Sequence, residues 1–444
     1  MNDSILNLIQ QNKYIEAKNE IIKMNVVDIA QLLEELELPK PLLIFRILPK
    51  EMAATVFSYI SAEMQQYITE SISDKEIKTI IDELFLDDAV DFLEEMPSNV
   101  VKKVLKNTDE QTRKLINQFL QYPENSAGSI MTIEYVGLKK EMTVKQALEY
   151  IKKTGIDKET INTCYVTDAT RKLEGTVSIR KLILSNESQL VEHIMTKDAI
   201  YVHTLEDQEE IASLFKKYDL LSMPVVDNER RLVGIVTIDD IVDIIDAEAT
   251  EDLHKMAAIQ PSDEEYLKTN SIVLAKHRIV WLLILMVSAT FTGNIIKKYE
   301  NILQVSVILA SFIPMLMDTS GNAGSQSSTL IIRGLALGEI TLKDFLKVLR
   351  KELQVGLIVG FLLSSFNFVR IYFFEKTSFS VSITVCISLY ATVILAKVVG
   401  GMLPMIAQKI KVDPAIMASP LITTIVDAIA LTIYFSLATA LLKI

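Results

Sequence analysis

A multidomain chain, with an α-helical solenoid in front, an α/β tandem pair in the middle and an all-α membrane domain of five helices behind, is the architecture this 444-residue sequence predicts. Three observations carry it. The first is an uneven split of charge and apolarity. Mean hydropathy is +0.29 although 23% of residues are charged. Only 15 basic and eight acidic residues lie from Lys276 onward, so the front carries about −19 and the rear about +7. The second is a pair of internal repeats in the front part. The third is a series of apolar runs after Lys276, the last of which holds a carboxylate, Asp427, near its middle. The expected division is a helical N-domain at 1–127, a tandem module at 128–246, an acidic connecting helix at 247–275 and a transmembrane domain at 276–444.

The front acidity argues against nucleic-acid binding and suits cations. Two cysteines, Cys164 and Cys386, fall in different halves, so no disulfide framework is expected. The opening MNDSILNLIQ lacks a basic-then-apolar signal pattern, which predicts a cytoplasmic front domain.

Residues 1 to about 125 read as short helices. Pro49 in ILPKEMAATVFSYI and Pro97 in EMPSNVVKKVLKN each open a helix, 48 positions apart, as stacked helical hairpins do. In LFLDDAVDFLEEM, Asp87 and Asp91 share a helical face, either a solvated surface or a cation site. From about Ser129 strands and helices alternate. YVTDATRKLEGTVSIRKLI from Tyr165 aligns with PVVDNERRLVGIVTIDDIV from Pro224, and IMT recurs at Ile130 and Ile194. This pattern resembles a tandem pair of CBS modules, which implies a disc with room for one adenosine nucleotide such as ATP. Thr237 and Asp240 match the residues that hold the ribose in that family, whereas Ser178 is followed by Lys181.

The second module runs into TIDDIVDIIDAEATEDLHKM. On a helix its acids stack at repulsive spacings that cost roughly 1–2 kcal/mol in total unless cations intervene. A solvated linker helix is the alternative to a divalent-cation switch. Clustered carboxylates suit Mg²⁺ or Ca²⁺, and His and Cys are too scarce for zinc.

Membrane spans are expected at Ile279–Ile296, Ile302–Met317, Leu353–Phe374, Val381–Ala407 and Ala415–Leu442. Nine Lys and Arg in the loops on one side against four on the other place the N-terminus in the cytoplasm and the C-terminus outside, in a multi-pass protein of the cell (inner) membrane. The polar run MDTSGNAGSQSST, between the second and third spans, either lines a wet cavity or packs helices closely through Gly321, Ala323 and Gly324. Asp413 as N-cap and Pro414 as first helical residue would start the last span. Asp427 then lies about 21 Å deeper, where a lone carboxylate costs roughly 2.5–3.5 kcal/mol and marks an ion or proton path. Pro420 is expected to break this helix and free the carbonyl of Ile416. Pro420, Thr423, Thr424, Asp427 and Ala430 fall on one side, and with Ile416, Ser419 and Asn322 they form the expected pore lining. Mg²⁺ keeps several of its waters, so one such carboxylate per subunit, facing its copy across a dimer axis, serves as a selectivity device.

The whole series, with AEATEDLHK, MDTSGNAGSQSSTLIIR and DPAIMASPLITTIVDAIALTIYF, resembles the MgtE family of bacterial magnesium transporters over essentially the full chain. The resemblance implies a homodimeric channel that imports Mg²⁺ and is closed by cytosolic Mg²⁺. It carries the pore carboxylate onto Asp427, and regulatory acids onto Asp207, Glu209, Asp219, Asp240, Asp243, Glu248, Glu251 and Asp252. Asp413 matches an acid at the cytoplasmic mouth, and Asp87 and Asp91 match the N-domain cluster. The chain departs from the family at Ala430, where members carry Gly, and at Lys397, a cation inside the fourth span that either snorkels or pairs with a carboxylate. Two other readings remain: a membrane-anchored Mg²⁺ or nucleotide sensor without conduction, and an intramembrane aspartyl protease using Asp318 and Asp427, which lacks the G-x-G-D context.

Overall fold

The computed structural model describes residues 5, 8–9, 11, 13–262, 266–267, 269–417 and 419–442. The chain folds as two units, Met1–Ile245 and Asp246–Ile444.

The first unit opens with nine described helices: α1 (Tyr14–Ile21), α2 (Val26–Glu35), α3 (Lys40–Ile47), α4 (Lys50–Ser58), α5 (Ala62–Ser71), α6 (Asp74–Glu83), α7 (Leu86–Glu94), α8 (Ser98–Asn107) and α9 (Glu110–Phe119). Their starts are written locally. Asn25, Ser61, Ser73 and Asp109 each accept a backbone N–H of the following turn, and Ser73 forms a reciprocal capping box with Glu76. Pro49 and Pro97 cap α4 and α8 with the same backbone, φ −58° at both and ψ 148° and 147°. The helical repeat is therefore also a repeat of geometry.

Two small sheets follow, each ordered with a parallel first pair and an antiparallel second pair. β1 (Gly137–Leu138), β2 (Thr163–Thr167) and β3 (Leu173–Ser178) form one, with α10 (Val144–Thr154), α11 (Ile179–Leu184) and α12 (Val191–Ile194) around it. β4 (Val202–His203), β5 (Ser222–Val226) and β6 (Leu232–Thr237) form the other, with α13 (Gln208–Tyr218) and α14 (Ile238–Met256). Thr163 pairs with Ser178 as Ser222 pairs with Thr237, and both hairpins carry an irregularity near their turn. The aligned repeat is thus a repeat of strand register. The modules meet through Tyr165, Leu173, Val226, Leu232 and Ile235, and Tyr165 Oη lies 2.6 Å from Ser222 Oγ. One apolar core runs from Ile29 and Phe57 in the helical part to Val225, Ile241 and Ile244. The helical part therefore packs on the second module, and this packing brings α7 to the start of α14.

The second unit contains α15 (Ser271–Lys298), α16 (Glu300–Val305), α17 (Ile313–Ala336), α18 (Phe345–Val369), α19 (Phe379–Lys409) and α20 (Ser419–Leu442). Among the described residues, four segments are long and apolar enough to cross a membrane: Ser271–Lys298, Leu342–Phe374, Phe379–Lys409 and Pro414–Leu442. The expected span at Ile302–Met317 does not form. Ser306 leaves the helical region (φ −138°, ψ 81°), a 3₁₀ turn covers Val307–Phe312, and Pro314 opens α17 instead of interrupting a helix. The polar run from Met317 is accordingly helical. Its hydroxyls are satisfied by carbonyls a turn back, as in Ser320 Oγ to Leu316 O at 2.6 Å.

α17 and α19 touch backbone to backbone. A Cβ on Gly400 would lie 2.1 Å from the carbonyl oxygen of Gly324, so no side chain fits at that crossing.

Candidate functional site

Asp427 sits on α20 eight residues past Ser419, about 12 Å along the helix. The expected start of this helix at Asp413 is corrected. Asp413 Oδ1 accepts the N–H of Ala415 at 2.8 Å and caps a 3₁₀ turn over Pro414–Met417. Pro420 is consequently the second residue of α20, where a missing N–H breaks nothing, and it does not interrupt the span. Its carbonyl instead accepts the hydroxyls of Thr423 at 2.9 Å and Thr424 at 3.1 Å. The two threonines also diverge. Thr423 packs where a Cβ on Gly321 would come within 3.0 Å of its Cγ2, whereas Thr424 lines a groove with Ser288 and Phe291 of α15. Ala430 is fully buried among the chain's own helices, so the family departure there alters packing and not an exposed lining. Ile416 is half-buried in the 3₁₀ turn, and the side chain of Ser419 lies outside the described set.

Oδ1 of Asp427 is buried and has no hydrogen-bond partner. It lies 3.8 Å from where a Gly321 Cβ would stand, an ordinary contact distance, which puts α17 beside the carboxylate. Asp318 on α17 is close enough for its charge to bear on Asp427, and Asn322 Nδ2 donates to Asp318 Oδ1 at 3.2 Å. Asp318, Asn322 and Gln326 occur at intervals of four on α17, and all three are exposed. A polar stripe exposed on a helix packed among apolar spans needs water or another polar surface. Asp318 entered the sequence reading only through the protease alternative. Its spacing to Asn322 within a polar run was the available signal.

Lys397 is 5% exposed and does not snorkel. Its Nζ donates to Gln326 Oε1 at 3.0 Å. Glu352, 8% exposed on α18, accepts the Ser327 hydroxyl at 2.6 Å.

A second constellation lies in the first unit. Burial and the charges of Asp240 and Asp88 hold the Asp87 carboxyl well above the usual carboxylate range. Burial, then Asp240 and Glu94, push Asp91 up to about 7, and burial with Asp239 pushes Asp88 to about 6. Asp240 is raised to about 6 by burial and Asp239, although Thr237 Oγ1 donates to its Oδ2 at 2.9 Å. Glu159 joins them, raised to about 7 by burial, Asp239 and Asp240. Nothing in the sequence marks Glu159, a loop residue that only the module fold brings to α7 and α14. Asp243 lies one turn beyond Asp239, on the same helix.

Asp87, Asp88, Asp91, Asp240 and Glu159 each have a folded pKa above the free value. The protonated form is favoured in the fold, so their contribution is most favourable in acid and is lost as pH rises through about 6 to 7. Without divalent cations, scanning calorimetry of the full chain should show the first unit melting several degrees lower at pH 8 than at pH 5. Millimolar Mg²⁺ should flatten that slope. A melting temperature that rises with pH in the absence of divalent cations would count against this electrostatic picture.

The remaining acids do not form one site. Asp207 caps the start of α13 by accepting from Glu209 N at 2.9 Å, whereas Asp219 ends the same helix in a left-handed conformation (φ 51°). The helix between them is 11 residues long, which keeps Asp219 about 16 Å from the other two. In the second unit, Lys255 Nζ bridges Glu251 Oε1 at 2.7 Å and Asp413 Oδ2 at 2.6 Å. Burial and Asp413 raise Asp252 to about 6. Glu248 lies one turn earlier on α14.

Among the described residues no three His, Cys, Asp or Glu side chains stand close enough to enclose a metal ion. The donors are hard oxygens of the kind that suit Mg²⁺.

Family models match successive stretches of the chain. A family model described as "Divalent cation transporter" matches residues 313–437, the "MgtE intracellular N domain" matches 24–125, and CBS domains match 127–185 and 191–247. The magnesium transporter MgtE of Thermus thermophilus is 36% identical over 419 residues, covering 94% of this chain and 93% of the relative. That of Bacillus subtilis is 32% identical over 425 residues, covering 93% and 94%. Among solved structures, the cytosolic domain of the Mg²⁺ channel MgtE in complex with ATP aligns with a TM-score of 0.53 at 33% identity, over 55% of this chain and all of that one. The soluble part of a magnesium transporter aligns equally well at 28% identity, over 56% and 98%.

Proposed function

Because the chain belongs to the MgtE family of magnesium transporters, we propose that it is a Mg²⁺ transporter that works as a homodimeric channel admitting Mg²⁺ to the cytoplasm and closed by Mg²⁺ on its cytosolic face. The observation that carries the reading is Asp427, a carboxylate within a membrane-spanning helix with one buried oxygen unpartnered. The polar stripe of Asp318, Asn322 and Gln326 supports a path alongside it. Two copies meeting at this face would give Mg²⁺, as substrate, two Asp427 carboxylates acting through water.

Closure is assigned to the acids outside the membrane. Asp87, Asp91 and Asp240, with Asp88, Asp239 and Glu159, repel one another while empty and are drawn together by a divalent cation. Asp243 belongs with them on α14, Glu248, Glu251 and Asp252 form a separate acidic set in the second unit, and Asp207, Glu209 and Asp219 present acids at both ends of α13. The bound ions favour one of two arrangements of the helical and CBS parts, with a coupling of a few kcal/mol. The Lys255 bridge holds Glu251 and Asp413 with a tethered ammonium, so a regulatory ion at that mouth has to compete with Lys255. Thr237 and Asp240 supply a hydroxyl and a carboxylate suited to a ribose, and the nucleotide-bound relative supports ATP as a second ligand of the CBS pair. Residues 1–127, 128–246, 247–275 and 276–444 are the corresponding functional parts, with five membrane helices counting α17, a cytoplasmic N-terminus and an external C-terminus. The work is transport and not catalysis.

Limited proteolysis tests the clamp. Millimolar Mg²⁺ should protect the segment around 257–270 and slow its cleavage at least about tenfold, as ligand-linked closing does when the ion is well above its Kd. Identical digestion with and without Mg²⁺ would refute the clamp.

A further inference from the structure

Lys397 and Glu352 are buried, oppositely charged and used by nothing described so far, although both lie within membrane-spanning helices. The site is built around them. A Cβ on Gly401 would lie 2.8 Å from Glu352 Cγ, and one on Gly356 would lie 3.1 Å from the Ile394 Cα and 3.6 Å from Lys397 Cβ, so glycine at both positions lets α18 and α19 pack closely beside the pair. Both charges are tied to adjacent residues of α17, Lys397 to Gln326 and Glu352 to Ser327.

The bond to Gln326 fixes more than position. An ammonium has three donors and no acceptor, so the amide must give Lys397 its oxygen. What remains for the exposed side of α17 is the amide's N–H₂. Asn322, one turn away, is bound to Asp318 through its own N–H₂, which leaves its oxygen available. Hydrated Mg²⁺ directs its water hydrogens outward and is held only where acceptors receive them. The stripe therefore offers acceptors at Asp318 and Asn322 and donors at Gln326.

We propose that Lys397 is a positioning residue that turns the Gln326 amide donor-side outward, so that the cation-holding stretch of the path ends at Asn322 and an ion is released past Gln326. Glu352 balances the buried ammonium, so Lys397 acts through the amide and not as a bare charge in the path. The inference rests on the reading of Asp427 as the transport site. Conduction requires each ion to leave as well as enter, and an additional acceptor level beside a carboxylate would hold it longer.

The test is Mg²⁺ uptake by the full chain in proteoliposomes, read as separate KM and maximal rate. Lys397→Met with Glu352→Gln removes both charges together and frees the Gln326 oxygen. KM should fall at least about threefold, and the maximal rate should fall with it. Adding Gln326→Met to that variant should return KM to the wild-type value. Gln326→Met alone should leave KM within about twofold of wild type, because the amide contributes no acceptor while Lys397 is present. A lowered maximal rate at unchanged KM in the double variant, or a KM raised severalfold by Gln326→Met alone, overturns the inference and leaves the pair a structural tie. Uptake that survives Asp427→Asn shows instead that the transport-site reading has failed.

Discussion

Replacing Asp427 by Asn should reduce Mg²⁺ uptake at least about a hundredfold while leaving the protein folded. The size follows from Coulomb's law. One charge acting on a divalent ion at about 5 Å, the reach of a carboxylate through one water, is worth roughly 6 to 7 kcal/mol at an effective dielectric constant of 20. Each 1.4 kcal/mol is about a tenfold change, so even a large offset from dehydrating the carboxylate leaves two orders of magnitude. The fold should tolerate the change. Asp427 makes no ion pair among the described residues, and its buried Oδ1 has no donor to lose. Asn keeps the volume and removes the charge. Asp427→Glu should retain part of the rate, because the charge survives at a shifted position beside Gly321. Uptake measured in proteoliposomes, with a melting curve for each variant, checks both. Full uptake by Asp427→Asn would remove Asp427 from the path.

The second large effect concerns closure. Asp87→Asn, Asp91→Asn and Asp240→Asn together remove three carboxyls that repel one another, of which Asp87 is buried, Asp240 half-buried and Asp91 exposed. Two consequences should appear at once. The first unit should become more stable without divalent cations at pH 8, because the repulsion is gone. Uptake should also lose its inhibition by Mg²⁺ on the cytosolic face, with the half-inhibiting concentration rising at least about tenfold, since the ion has lost most of its differential affinity for the closed arrangement. A merely structural role for these acids moves stability alone. A stabilised variant that is still inhibited by Mg²⁺ at the wild-type concentration would separate the acids from gating.

The parts legible in the sequence are those with short-range causes. Pro49 and Pro97 recur because each opens a helix with the same dihedral angles. The tandem strands recur because register follows from alternation and turn chemistry, and the first, third, fourth and fifth of the expected spans declare themselves by length. The misread places are those where one residue has two local meanings. Pro420 reads as a helix break only if the helix has already begun, and in the fold it has not. Pro314 likewise opens α17 instead of lying inside a span, so the polar run becomes part of the helix that approaches Asp427. The acids of α13 looked like one set and cap its two opposite ends. Glu159 was invisible because the acids of α7 and α14 that it meets, Asp88, Asp239 and Asp240, are more than 70 residues away in either direction. Lys397 read as an anomaly until its bond to Gln326 gave it a partner on another helix.

The central claim is that cytosolic Mg²⁺ closes a path that passes Asp427. The most direct measurement is the initial rate of Mg²⁺ entry into proteoliposomes holding the wild-type chain in the matching orientation, with Mg²⁺ on the cytosolic face stepped from micromolar to tens of millimolar at a constant driving gradient. The rate should fall steeply in the millimolar range, and removing the ion should restore it. A rate independent of Mg²⁺ on that face, or one that rises with it, would contradict the account.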